Sequence, residues 1–169
     1  MRQTNHRPER RRFLAASILI GIGLGGFFDG ILLHQILQWH HMVSTPVPPD
    51  TLANLEANTV GDGFFHALTW IVTLAGVLVL LTTGGERGIA GSGRRFLGGL
   101  LMGWGLFNVV EGIIDHHLLN LHHVRPGPDE FLYDIAFLLW GAAMIAIGAY
   151  VVQSRPEAAS GQDTAVGRA

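Results

Sequence analysis

Residues 29–41 read Asp-Gly-Ile-Leu-Leu-His-Gln-Ile-Leu-Gln-Trp-His-His, and residues 111–123 read Glu-Gly-Ile-Ile-Asp-His-His-Leu-Leu-Asn-Leu-His-His. At a constant offset, the two copies share an acid, a glycine, an isoleucine, a histidine, an amide residue and a final His-His pair. Each copy lies at the end of a long apolar run. Ionisable residues inside membrane helices are costly and usually serve a function. The repeat therefore predicts a functional set of acids and histidines.

The composition predicts an integral membrane protein. The chain has 169 residues, of which 49% are hydrophobic and 14% charged, whereas roughly 25% are charged in a typical soluble protein. Four apolar runs reach the length of about 20 residues that a bilayer-crossing helix needs. We predict an all-α, polytopic four-helix bundle made of two tandem helical hairpins, with a pseudo-two-fold axis along the membrane normal. The predicted helices cover about 13–41, 62–82, 96–123 and 131–152.

The positions of the arginines predict the orientation. Five arginines precede the first apolar run, and three more lie between the second and third, whereas residues 42–61 contain none. The positive-inside rule then places both termini in the cytoplasm and both repeat copies toward the outside. Residues 1–12 form a basic tail, 13–153 the transmembrane domain, and 154–169 a tail that we expect to be disordered. The chain has no cysteine, which excludes disulfides and thiolate ligands.

Regular α-helical geometry sorts the repeat residues into two stripes. At 100° per residue, Asp29 and His40 fall on one stripe of the first helix and His34 on the other. If His40 and His122 mark the outer boundary, Asp29 and Glu111 lie about 16 Å below it. Eight of the nine histidines then belong to one half of the membrane.

Imidazole and carboxylate groups are the usual ligands of zinc, copper and non-haem iron, and helical bundles build such sites from facing helices. We therefore predict a His/carboxylate metal site. Its candidate ligands are His34, His66, His116, Asp29, Glu111, His40 and His122. Candidate hydrogen-bond partners of those ligands are Asp62, Asp134, His41 and His123. Asp115 is the candidate for proton transfer, because Leu33 occupies its position in the first copy.

Other interpretations of the same residues stay open. His34 and His116 are suitable axial ligands for a b-type haem. A chain of acids and histidines is also typical of a proton or metal-ion pathway. Asp62 and Asp134 suit helix capping, and a purely structural membrane protein is the remaining alternative. If the protein is an enzyme, a metal-dependent oxidoreductase or hydrolase fits best.

Three stretches carry a family resemblance: residues 26–41, residues 62–66 (Asp-Gly-Phe-Phe-His) and residues 108–125. They resemble a bacterial membrane family catalogued as domain-of-unknown-function family 2243, over nearly all of residues 13–152. The resemblance implies a four-helix topology and a location in the bacterial inner membrane; it implies no reaction and no metal. Expected partners are membrane lipids, a second copy of the chain, and a small-molecule or redox partner on the extracytoplasmic side. No nucleic-acid partner is expected.

Overall fold

A computed structural model describes residues 7–83 and 92–154. Its elements are α1 (Arg7–Phe28), which continues into a π-helical segment, π1 (Asp29–Ile36); α2 (Leu52–Leu81); α3 (Ser92–Glu111), which continues into π2 (Gly112–Leu118); and α4 (Glu130–Gln153). The described ranges contain no strand, and the all-α prediction is confirmed. The start of the basic tail and the predicted disordered tail from residue 155 onward lie outside the described residues.

The four predicted membrane-length helices are also confirmed. The helical spans Pro8–Ile36, Leu52–Leu81, Ser92–Leu118 and Glu130–Gln153 are long and apolar enough to cross a bilayer. α1 and α3 pack against each other at the centre of the bundle, α2 packs on α1, and α4 packs on α3. Within the described ranges, α2 and α3 make no direct backbone contact. A cleft therefore runs between α2 and α3.

Glycines allow these helices to approach closely. A Cβ atom on Gly103 of α3 would meet the carbonyl oxygen of Ile18 on α1. On the opposite face of α3, a Cβ atom on Gly105 would meet the carbonyl oxygen of Gly141 and lie 2.9 Å from the Ile145 side chain on α4. Small residues at such contacts let backbones pack against one another where the hydrophobic effect between helices is absent. The glycines thus set the spacing of the bundle.

Gly105→Ala is expected to destabilise the bundle, because the new methyl group must push α4 away from α3. Overpacking of this kind costs about 1–3 kcal/mol. Gly63→Ala is the matched control, since no atom lies within 4 Å of its added Cβ and alanine is intrinsically better than glycine in a helix by about 1 kcal/mol. Thermal unfolding in detergent is the measurement. Equal melting temperatures for the two variants would contradict the packing account.

Helix α2 begins at Leu52 rather than near residue 62, the predicted start. The side chain of Thr51 caps it by accepting a hydrogen bond of 3.2 Å from the Asn54 backbone N–H, as threonine commonly does at a helix start. Asp62 consequently lies in the helix interior and is not a cap. The polar run after Pro49 obscured this start, because only the later part of α2 is continuously apolar.

The ends of the first and third helices also differ from the prediction. Both were expected to stay helical through their His-His pairs, yet π1 ends at Ile36 and π2 at Leu118. Each is followed by a residue with a left-handed backbone, Gln38 in one copy and Asn120 in the other, both with φ of 49°. In both repeat copies, the chain therefore turns sharply just before the His-His pair.

Candidate metal centre

The π-helical segments bring each acid next to the first histidine of its repeat copy. In an α-helix, residues five apart point about 140° away from each other. A π-helix has more residues per turn, which brings positions i and i+5 toward one face. Asp29 Oδ2 accordingly lies 3.0 Å from His34 Nε2, and Glu111 Oε1 lies 3.1 Å from His116 Nε2. Residues from the two predicted stripes therefore lie on one face of the helix at the site.

The left-handed turns return the later histidines to the same acids. His40 Nε2 lies 3.9 Å from Asp29 Oδ2, and His122 Nε2 lies 2.8 Å from Glu111 Oε1. His40 and His122 are both buried. The predicted depth of about 16 Å between these histidines and the acids assumed a continuous helix, and that prediction is wrong.

Four imidazole rings from the two repeat copies form one cluster. The rings of His40 and His122 stack with centroids 4.5 Å apart and planes 5° apart. His34 packs edge-on against His40 at 4.5 Å, and His116 packs edge-on against His122 at 4.9 Å. The copies therefore meet as one site, which we call the six-residue centre. It consists of Asp29, His34, His40, Glu111, His116 and His122.

The Nδ1 atoms of these histidines face the protein rather than the centre. His34 Nδ1 bonds Asp62 Oδ1 at 2.8 Å. His40 Nδ1 lies 2.8 Å from the Val124 carbonyl oxygen, and His122 Nδ1 lies 3.2 Å from that of Met42. These acceptors favour a proton on Nδ1, which leaves the Nε2 lone pair directed at the centre. Ligating histidines are usually oriented in this way.

Asp62 and Asp134 support the two copies with matching contacts. Asp62 accepts hydrogen bonds from His41 Nδ1 at 2.7 Å and from the Met42 backbone N–H at 2.8 Å. Asp134 does the same with His123 Nδ1 at 2.7 Å and the Val124 backbone N–H at 2.9 Å. Its Oδ1 also lies 3.4 Å from His116 Nδ1. Both acids thus fix the turn that carries the His-His pair.

Several buried atoms of the six-residue centre make no hydrogen bond of good geometry, although Asp29 Oδ2 lies 3.0 Å from His34 Nε2 and Glu111 Oε1 lies 3.1 Å from His116 Nε2. They are Asp29 Oδ2, His34 Nε2, His40 Nε2, Glu111 Oε2 and both nitrogens of His116. A buried polar atom without a partner costs about 1–3 kcal/mol. Two groups of the centre bring one ligand atom from each residue within 4.8 Å of the others: His34, His40 and His122, and Glu111, His116 and His122. Both groups could hold a metal ion, and His122 belongs to both.

Burial keeps His40 in the form that binds metals. It lowers the pKa of His40 below its ordinary value, and the nearby carboxylate of Asp29 offsets this only in part. The close stack on His122 acts in the same direction, because two charged rings at that distance would repel. A neutral imidazole is the ligand form of histidine.

Among the predicted ligands and the proton-transfer candidate, two residues lie outside the six-residue centre. His66 Nε2 is buried without a hydrogen-bond partner, but it faces the backbone at Gly30, where an added Cβ would touch it. Asp115 is partly buried and lines an apolar cavity together with Glu111. The sequence signal for the turns was present in the shared amide at Gln38 and Asn120, since asparagine tolerates a left-handed backbone. The π-helical segments had no comparable signal.

Four membrane-length helices around a buried cluster of acids and histidines define an integral membrane protein with a candidate metal centre. The chain belongs to the family described as "Predicted membrane protein (DUF2243)", whose model matches residues 16–155. No curated protein matches the chain, and no solved structure does.

Asp62→Asn is expected to weaken metal binding about 10- to 100-fold, the usual effect of losing a partner of a ligating histidine. The amide removes the charge and presents an NH₂ donor to imidazoles that themselves donate to Asp62. Asp50→Asn is the control, because Asp50 is exposed and its side chain bonds only Asn54 among the described contacts. Competition with a metal chelator gives both affinities. Equal affinities would show that Asp62 does not orient His34.

Proposed function

We propose that this protein binds transition-metal ions at the six-residue centre. The observation that supports this most strongly is the convergence of histidine Nε2 atoms on two carboxylates that are nearly fully buried. His34 shows the arrangement most clearly: Nδ1 lies 2.8 Å from Asp62 Oδ1, and Nε2 lies 3.0 Å from Asp29 Oδ2. Two electron-rich atoms at this distance require a proton or a cation between them. A metal ion supplies that charge and coordinates both atoms.

Charge balance supports two ions rather than one. Asp29, Asp62, Glu111 and Asp134 are each no more than 6% exposed. In their ionised forms these acids carry four negative charges, and uncompensated charge is very costly inside a bilayer. Two divalent cations balance this charge while the imidazoles remain neutral. The division into two ligand groups fits the same number, with His122 giving its single Nε2 lone pair to one of the two ions.

The distances suit zinc, copper or iron. Two ligand atoms that each lie about 2.0–2.1 Å from a tetrahedral zinc are about 3.3 Å apart. The corresponding contacts are 3.0 Å for Asp29 with His34 and 3.1 Å for Glu111 with His116. A shift of a few tenths of an ångström would admit an ion. Nitrogen and oxygen donors without sulfur do not by themselves select one of these metals.

A pocket at the end of the bundle where α1 and α3 finish provides an entry route. It has a volume of about 450 Å³, and Gln38, Ser44, His40 and His41 contribute to its lining. His40 also belongs to the six-residue centre, so the pocket adjoins the centre. An entry path is one requirement for a metal site. The arginine distribution places this end of the bundle on the extracytoplasmic side.

The haem alternative loses support. A haem needs an open slot between two axial histidines, whereas the rings of His40 and His122 stack between His34 and His116. The proton-pathway alternative requires polar groups across the other half of the bundle. There the hydroxyls of Ser17 and Thr73 bond the carbonyls of their own helices, Ser17 with Phe13 and Thr73 with Thr69. Neither hydroxyl continues a chain beyond the centre.

The proposal is tested by metal content and an optical spectrum on protein purified in detergent, without a His tag, from metal-replete cells. We expect one to two equivalents of zinc, copper or iron and no Soret band. The Asp29→Asn/Glu111→Gln variant preserves the side-chain shapes and is expected to lose the metal. Folded wild-type protein without metal would overturn the proposal, and a Soret band would restore the haem alternative.

A further inference from the structure

An apolar cavity lies beside the six-residue centre, in the cleft between α2 and α3. It has a volume of about 300 Å³, at the lower end of the roughly 300–1,000 Å³ typical of ligand pockets. Phe65 and Leu68 of α2 and Leu106 and Phe107 of α3 contribute to its walls. Leu68 is 59% exposed and Leu106 40%, so the cleft opens sideways, toward the lipid.

Two acids interrupt this apolar wall, Glu111 and Asp115. Oε1 of Glu111 is occupied by His116 and His122, whereas its buried Oε2 has no hydrogen-bond partner. Asp115 has no acidic counterpart in the first copy, where Leu33 is buried. The cavity therefore has an apolar wall, with these two acids at one end and Oε2 of Glu111 just beneath the surface.

We propose that this cavity binds a lipid-soluble phenol, including quinols, with its hydroxyl directed at Glu111 and Asp115. The carboxylate oxygens call for a donor in the ligand. A neutral donor is sufficient here, because Glu111 already faces His116 and His122. Phe65 and Phe107 in the cavity wall suit the aromatic ring of a phenol.

Phe65 connects the cavity to the centre. Its ring stacks on His34 with centroids 5.5 Å apart and planes 14° apart. Glu111 belongs both to the cavity lining and to the six-residue centre, so a bound hydroxyl would lie next to the candidate metal ligands. That the phenol is the substrate of the metal centre rests on the proposed function; the binding itself does not require metal.

The test compares 2,3,5-trimethylphenol with its O-methyl ether by isothermal titration calorimetry in detergent. The two probes share an apolar body, but the ether cannot donate. A hydrogen bond to a charged acceptor predicts about 10- to 100-fold tighter binding of the phenol. Asp115→Leu, which installs the residue of the first copy, is expected to reduce that difference.

Leu68→Trp fills the mouth of the cavity and is expected to remove phenol binding while leaving the metal content unchanged. Leu74→Trp, on the same helix but outside the cavity lining, is the control. Equal binding of phenol and ether, or full binding by Leu68→Trp, overturns this inference even if the protein holds metal. Phenol binding by a protein without metal supports the cavity and refutes only the proposed metal site.

Discussion

The His122→Ala variant is expected to lose more metal than either His34→Ala or His116→Ala. His122 is the residue that both ligand groups share, and its Nε2 also bonds Glu111 at 2.8 Å. His34 and His116 each belong to one group. Loss of a supporting residue alone lowers metal affinity about 10- to 100-fold, so loss of a ligand that is available to either group should lower it by at least that factor. Metal equivalents after equilibration at one fixed free-metal concentration measure the difference.

His117→Ala is the matched control for this series. His117 neighbours a predicted ligand in the sequence, but it is exposed and belongs to neither ligand group. It is expected to keep the wild-type metal content. Identical losses in the His34, His116 and His122 variants would argue for a single undivided site. Full metal retention by His122→Ala would refute the assignment of the shared ligand.

Removal of the metal is expected to destabilise the folded protein. An ion that binds only the native state at a free concentration 100 times its Kd contributes about 2.7 kcal/mol to stability. Chelation also leaves buried atoms of the centre without partners, which is costly, and leaves its negative charge unbalanced. Thermal unfolding in detergent, with and without an impermeant chelator, measures this effect. Adding back the metal should restore the melting temperature.

The His122→Ala variant separates this effect from direct action of the chelator on the detergent or the protein surface. Its melting temperature should respond little to chelation, because it holds little metal to remove. A wild-type protein whose stability does not change with chelation would indicate that the buried charges are balanced by protons instead. The imidazoles would then be cationic, and the proton-pathway alternative would gain support.

The sequence predicted the fold class and the identity of most residues at the centre. Membrane helices are set by the length and composition of apolar runs, which local sequence records directly. The repeat also pointed to Asp29, His34, Glu111 and His116, because acids and histidines at corresponding positions are unusual inside membrane helices. In the structure each acid does meet the histidine of its own copy, Asp29 with His34 at 3.0 Å and Glu111 with His116 at 3.1 Å.

The geometry of the centre could not be predicted from helical periodicity. A regular α-helix places Asp29 and His34 on different stripes, and only the wider turn of a π-helix brings them together. Likewise, the return of His40 depends on one left-handed residue, Gln38, which a pattern of apolar residues does not record. Such exceptions to regular backbone geometry are expected at functional sites.

The roles of Asp62 and His66 show that contacts between helices also could not be predicted from the sequence. Asp62 was predicted as a partner of a ligating histidine or as a helix cap, and its contacts with His34 and His41 come from the packing of α2 on α1. His66 shares the acid-to-histidine spacing of the motif, yet its ring faces Gly30. Which side chain of a helix faces a neighbour depends on helix rotation, and single-sequence patterns fix that only approximately.

An anomalous-difference map from crystals grown with the bound metal would test the central claim most directly. We predict one or two peaks within the six-residue centre, each in contact with histidine Nε2 atoms and with Asp29 or Glu111. Two peaks, one beside each acid, would establish the division into overlapping groups. A peak at the exposed His117 instead, or none in folded protein saturated with metal, would contradict the assignment of this centre.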